Sequence, residues 1–344
     1  MPSSTFSSEP WIPAGRWGAT WLLALVLAAV VVWRLELVTR AGGQRPSVVD
    51  DPVLWSLARI QVDADPGIVA FVGTSRMALA YSAPEFARAA PELRGLQLSI
   101  TDHQAFGVLA DLAADDAFRG VVVFDLLEPD VIDPEFFHQS DPYVRRGHAL
   151  WRSPGSLVNR YAASQLQSRL AVLAVGGRRI ITALVGKRQW PAPQWVAIDR
   201  QRSSHADYRL ATPAALRAKA DRRLPYYAPT TTPDAWLGIL EREVEPLVRR
   251  IQARGGDVVV LRMPISGRLA ARVDEAYPRS RYWDVFAART AARAIHAGDV
   301  PALANLLCPD EMHLDQRDQA AFTRAVVEAL RARGVLRGRG RAAP

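Results

Sequence analysis

Two short stretches at opposite ends of a 344-residue chain carry the side chains best suited to chemistry. The first is Gly73-Thr74-Ser75-Arg76, which follows the apolar run Ile68-Val69-Ala70-Phe71-Val72. A serine at a strand-to-helix turn stands at the C-terminal edge of a sheet, where α/β proteins place their sites. The free N–H groups of the helix that follows can stabilise an oxyanion there. The second stretch is Asp310-Glu311-Met312-His313. An Asp three residues before a His can hold one imidazole nitrogen while the other faces a hydroxyl. Ser75, His313 and Asp310 would then serve as nucleophile, base and orienting acid, a set recognised by roles rather than by chain order. Taken alone, the first stretch also reads as an ordinary small-residue turn.

Other reactive side chains point to less. Cys308 is the one cysteine, so neither an intramolecular disulfide nor a cysteine-based zinc site can form. It reads as a small buried residue leading into the Asp310 loop. Asp125, Glu128 and Asp130 cluster without a histidine at ligand spacing and read as solvated loop charges. His103 stands at a strand's end, as a donor or as a surface histidine. Arg262, at another strand's end, reads as an anion contact or as a surface arginine. Neither a cofactor nor a metal is expected.

The elements that must position Ser75 and His313 are legible as apolar runs separated by helical patterns. Residues 68–72, 95–100, 119–126 and 256–262 read as strands. Residues 105–114 read as a helix with Asp102 as its cap. A C-terminal amphipathic helix is expected near 320–333. This alternation argues for a mainly parallel, doubly wound sheet with flanking helices. Between about 130 and 255 lies a long insertion with helical patterns at 156–175 and 233–254 and a strand at 179–184. Its stretch from Gln189 to Pro233 carries Trp190, Trp195, Tyr226, Tyr227 and six prolines. These aromatics would either stack on sugar rings or pack as a lid onto the core.

Hydrophobic residues make up 49% of the chain, enough for a large core. The formal net charge is +8, from 43 basic and 35 acidic residues. Only Lys187 and Lys219 are lysines, and the arginines are interspersed with acids, so no nucleic-acid motif emerges. Residues 17–33, from Trp17 to Trp33, contain no charge and are bracketed by Arg16 and Arg34. That is the lower length limit for a spanning helix, with tryptophans at the interfaces. With no clear cleavage site and no lipobox cysteine after it, the segment reads as an uncleaved signal anchor. Residues 1–16 would precede it in the cytoplasm, 34–66 would form a juxtamembrane linker, and the globular domain would run from 67 to 333. The basic segment 334–344 would be a disordered tail. Arg34, Arg40 and Arg45 after the span outnumber Arg16 before it, so the charge count by itself favours a cytoplasmic C-terminus.

Gly73-Thr74-Ser75 and Asp310-x-x-His313 together resemble the SGNH (GDSL-like) hydrolase superfamily. Its nucleophile lies in a Gly-Asp-Ser turn after the first strand, and its Asp-x-x-His precedes the last helix. The closer likeness is to the membrane-anchored branch, which includes the D-alanine transfer protein of teichoic acids and partners of membrane-bound O-acyltransferases. The resemblance implies an SGNH-like doubly wound fold with Ser75, Asp310 and His313 catalytic. It implies a serine esterase or O-acyltransferase acting on acyl esters of a surface polysaccharide, or a non-catalytic scaffold for a membrane-bound O-acyltransferase. It also places the domain on the periplasmic side of a bacterial inner membrane, against the charge count. Two departures stand out. The family's second-block glycine has no counterpart in Ser99-Ile100-Thr101-Asp102-His103, the nearest being Gly107. The third-block asparagine has none in Phe124-Asp125-Leu126-Leu127-Glu128-Pro129.

Overall fold

The computed structural model describes residues 14–131, 137–186, 189–190, 192–228 and 231–339. The N-terminal 13 residues and the last five of the expected tail, 340–344, lie outside the described residues. The chain forms two units: Met1–Pro46 with Leu170–Pro193, and Ser47–Arg169 with Gln194–Pro344.

In the first unit, helix α1 (Ala14–Ala41) runs eight residues past the uncharged stretch, and from Trp17 to Ala41 it is long and apolar enough to cross a membrane. Its Leu-, Val- and Trp-rich surface is exposed along most of that length. Near its end the carboxylate of Glu36 accepts 2.9 Å hydrogen bonds from the N–H groups of both Ala171 and Val172. Those orphan donors open a short helix, and a negative charge at a helix N-terminus satisfies them.

The larger unit begins in what reads as linker but is folded. Asp51 caps helix α2 (Pro52–Arg59) by accepting from Val53 N and Leu54 N, and α2 buries Trp55 completely. Then come β1 (Ile68–Val72), α3 (Ser75–Ala80), α4 (Ala83–Ala89), β2 (Arg94–Gln97), α5 (Phe106–Ala114) and β3 (Val121–Asp125). The insertion contributes α6 (Asp141–Leu150), α7 (Pro154–Gln167), α8 (Val172–Val175), α9 (Gly177–Leu184), the hairpin β4 (Val196–Ile198) with β5 (Ser204–Ala206), and α10 (Pro213–Arg223), with α8 and α9 belonging to the first unit. It ends with α11 (Pro233–Glu243) and α12 (Glu245–Gln252). After β6 (Asp257–Arg262) follow α13 (Gly267–Ala276), α14 (Trp283–Arg289), β7 (Arg293–His296), α15 (Pro301–Ala304) and α16 (Gln319–Ala332).

The five-stranded sheet has the order β2-β1-β3-β6-β7 and all its pairings are parallel. Its central strands are apolar and buried on both faces, as helices covering each side require. The pleat sends Ala70, Val72, Val122, Phe124, Val258 and Val260 into the layer of α2, α5 and α11–α14. Val69, Phe71, Val121, Val123, Val259 and Leu261 face α3, α4, α15 and α16. Strand order reverses between β1 and β3, so their C-terminal ends open a crevice.

Several expectations need correction. Residues 179–184 form helix α9, not a strand. Gly176, at φ 81°, ends α8 and re-aims the chain, and Ile180 joins a small core with Val172 and Val175. Local packing overrides the β-branched composition. Asp102 does not cap α5. It adopts φ 63°, and the Gly107 N–H in the first turn donates instead to Ser140 Oγ. The expected disordered tail is packed as far as Arg339. Gly334, at φ 71°, turns the chain after α16 so that Val335 N reaches Leu330 O and both Val335 and Leu336 are buried. The aromatic insertion also divides: Trp190 belongs to the first unit, Trp195 packs edge-on against Tyr208 in the second, and Tyr226 is exposed.

Candidate active site

Ser75 is the first residue of α3, at the C-terminal end of central strand β1. Gly73 makes the turn possible, because a Cβ there would lie 2.6 Å from Asp125 Cβ and 2.8 Å from Met77 Cβ. Thr74 caps α3, its hydroxyl accepting from Arg76 N. As a first-turn residue, Ser75 has an N–H without an intrahelical acceptor.

Asp310 and His313 arrive from the other end of the chain, on the loop between α15 and α16. Asp310 Oδ1 accepts from the backbone N–H groups of Met312 (3.2 Å) and His313 (2.8 Å). Glu311, at φ 69°, takes the left-handed conformation inside this turn, and its carboxylate is held by Leu269 N and Arg268 Nε. The loop thereby delivers His313 to the β1 edge. Its Nε2 lies 2.9 Å from Ser75 Oγ, and its Nδ1 lies 2.9 Å from Asp310 Oδ2. With Nδ1–H committed to the carboxylate, Nε2 offers its lone pair to the hydroxyl. The structure therefore brings together all three side chains singled out in the sequence.

Three further groups surround Asp310. Lys219 Nζ donates to Oδ2 at 2.8 Å and Arg223 Nη1 at 3.0 Å, both from α10. Tyr208 lies close enough for Asp310 to help drive its phenol pKa upward, after burial as the main cause. Burial of Asp310 opposes its charge, but His313 and Lys219 outweigh that and hold the carboxyl far below its usual range. Burial likewise pushes the His313 imidazole down, and the Asp310 carboxylate only partly restores it.

Beneath the serine turn lies a buried ionic network. Arg76 Nε donates to Asp125 Oδ1 at 3.1 Å, and its other nitrogens pair with Asp130. Asp125 Oδ2 accepts from Thr74 N (3.3 Å) and Thr74 Oγ1 (3.1 Å), while Asp130 also accepts from Leu127 N and Gln104 Nε2. Glu128 pairs with Arg262 at 3.3 Å. Asp125, Glu128 and Asp130 are thus buried ion-pair partners, not solvated loop charges, and Arg262 is a buried counter-ion, not a surface side chain. The reason is shared: each sits buried at or just beyond the C-terminal ends of β3 and β6, where an unpaired charge is costly. His103 contacts its own loop through Thr101 O. Cys308 is buried with Sγ 3.4 Å from Pro264 O, and burial pushes its thiol up to about 12.

No protein-family model matches this chain, and no curated protein matches it. A serine hydroxyl, a neutral imidazole and an ionised carboxylate in hydrogen-bonded series can activate the hydroxyl as a nucleophile. Sequence reasoning missed Lys219 and Arg223, which stand 87 to 91 residues before Asp310 in the chain and show no motif. The presence of one of only two lysines here was the available signal.

Proposed function

We propose that this chain is a membrane-anchored, SGNH-like serine esterase or O-acyltransferase that acts on acyl esters of an extracytoplasmic polysaccharide. One observation supports it above the rest: the continuous hydrogen-bond series Ser75–His313–Asp310 at the sheet's topological switch point, assembled from opposite ends of the chain. Ser75 Oγ attacks the acyl carbonyl carbon while His313 Nε2 takes its proton. The resulting oxyanion accepts from the Ser75 N–H. Collapse expels the alcohol, which recovers the proton from His313, and leaves the acyl group on Ser75. Water or a sugar hydroxyl, deprotonated by the same nitrogen, then releases it. The apolar α1 supplies the membrane attachment.

The test is labelling with a fluorophosphonate probe. Wild-type protein is expected to label at Ser75, and Ser75→Ala to abolish it without loss of folded protein. Unlabelled wild type would refute the enzyme. A second reading, a scaffold for a membrane-bound O-acyltransferase, draws on the third-block position, where Asp125 is a buried acceptor and supplies no oxyanion donor. Losing one such donor costs about 10²–10³ in rate. Polysaccharide acylation persisting in cells that carry Ser75→Ala would favour it. A reporter fused after Pro344 reads the side of the membrane, with activity in the cytoplasm contradicting the polysaccharide role.

A further inference from the structure

Asp310 is engaged by more positive charge than its role requires. Oδ2 accepts from His313 Nδ1 at 2.9 Å, from Lys219 Nζ at 2.8 Å and from Arg223 Nη1 at 3.0 Å. Arg223 Nη2 also stands 3.4 Å from His313 Nδ1, so a guanidinium N–H faces an imidazole N–H. Two cations share one carboxylate. When His313 takes the serine proton it becomes a third cation in the same shell, and the carboxylate meant to stabilise it is already occupied.

The two cations are less enclosed than the carboxylate they share. Their side chains are 26% and 21% exposed while that of Asp310 is fully buried. Lys219 also lies over the Trp195 ring, 4.9 Å from its centroid, in the same position from which it donates to Asp310. A cavity of about 220 Å³ opens next to this clamp. It is lined by Pro309 and Glu311, which flank Asp310, and by Pro213, Leu216 and Arg217 of α10. The Glu311 carboxylate is already held by Arg268 and Leu269 N, leaving Arg217 as a cation at the cavity wall.

We infer that α10 carries an anion subsite which restrains the triad when empty and releases it when a substrate's anionic group, a uronate carboxylate or a phosphate, draws Lys219 and Arg223 off Asp310. This inference rests on the proposed Ser75 chemistry and adds both a substrate class and its coupling to the base. Lifting either cation strengthens His313 as a base and stabilises its charged form. The other ionisable groups at the clamp, Tyr208 and Cys308, have pKa values pushed up by burial and stay neutral near pH 7.

The experiment uses detergent-solubilised full-length protein and two readouts: the pH profile of fluorophosphonate labelling at Ser75, and the His313 titration by NMR. Polygalacturonate, inorganic phosphate and neutral dextran are added at matched ionic strength. Wild type is expected to label about threefold to tenfold faster with the anions and not with dextran, its His313 pKa rising by about one unit, because a base strengthened by one unit gains at most tenfold in rate. Action by polygalacturonate at concentrations where phosphate is inert would assign the anion to the polymer, and equal action would assign free ions. Lys219→Met and Arg223→Met are expected to label faster without anion and to respond less to it. Slower labelling in folded Lys219→Met, or wild type indifferent to both anions, overturns the inference. Absent labelling in every form overturns the parent reading, while the NMR titration still decides whether the clamp is coupled to His313.

Discussion

Replacing Asp310 by asparagine separates the geometry of the triad from its charge. The oxygen of the introduced amide can still accept from Met312 N and His313 N, so the loop keeps its shape. The amide nitrogen then takes the place of Oδ2, where His313 Nδ1, Lys219 and Arg223 all donate. Three donors meet a fourth. The imidazole escapes by moving its proton to Nε2, which then presents N–H instead of a lone pair to Ser75 Oγ. Loss of the correct tautomer costs about 10⁴ in rate in a serine triad. Breaking a fully buried ion pair costs about 3–5 kcal/mol, and because Lys219 and Arg223 are partly exposed and can turn to water, roughly 1–3 kcal/mol is expected here. The assay is the second-order rate of fluorophosphonate labelling, paired with thermal melting. A rate within tenfold of wild type would refute the assigned role of Asp310. A rate loss matched by wholesale unfolding would make Asp310 structural.

The pH profile follows from the direction of the His313 shift. Protonation inactivates the base, and burial holds its pKa below the usual value, so labelling should persist to a pH below about 6.5 before falling. Between the depressed folded pKa and the unfolded one the unfolded chain binds more protons, so stability should decline as pH drops through about 6.5, which an acid melting series reads. The buried Cys308 thiol should ignore a thiol reagent at pH 8 in the native protein and react stoichiometrically after denaturation. Trp236 is fully buried, donates from Nε1 to Glu128 O at 2.8 Å and packs edge-on to Tyr282 and Phe286. Trp236→Ala should cost roughly 3–5 kcal/mol in denaturant unfolding, and a loss below about 1 kcal/mol would contradict that packing.

The parts of this protein that could be read from its sequence are those set by local pattern. The apolar runs of β1, β3 and β6 are unmistakable because strands buried on both faces admit little else. Ser75 and His313 stood out because glycine-bounded turns and an Asp-x-x-His carry their geometry within a few residues. Strand β7 leaves no such signal, since Arg293-Ala294-Ile295-His296 is short and, as the edge strand, buries only Ile295 fully. The acids at 125, 128 and 130 look like loop charges until Arg76 and Arg262, 49 to 134 residues away, are folded onto them. The same holds for the clamp on Asp310. Long-range ion pairing leaves no period and no spacing to detect, because either partner alone is an ordinary polar residue.

The cap that Glu36 places on the N–H groups of Ala171 and Val172 has a consequence for proteolysis. Three chain crossings join the two units, at 46–47, 169–170 and 193–194. A protease that nicks the chain between Pro46 and Ser47 severs α1 from the sheet-bearing body. Yet Leu170–Pro193 remains covalently part of that body and is still clasped by Glu36. The nicked protein therefore stays a two-piece assembly, with α1 still attached through that segment. Freeing α1 requires a second event: cuts on both sides of the clasped segment, or loss of the Glu36 cap together with the Gln44–Ala192 hydrogen bond and the packing of Leu35 on Val172 and Val175.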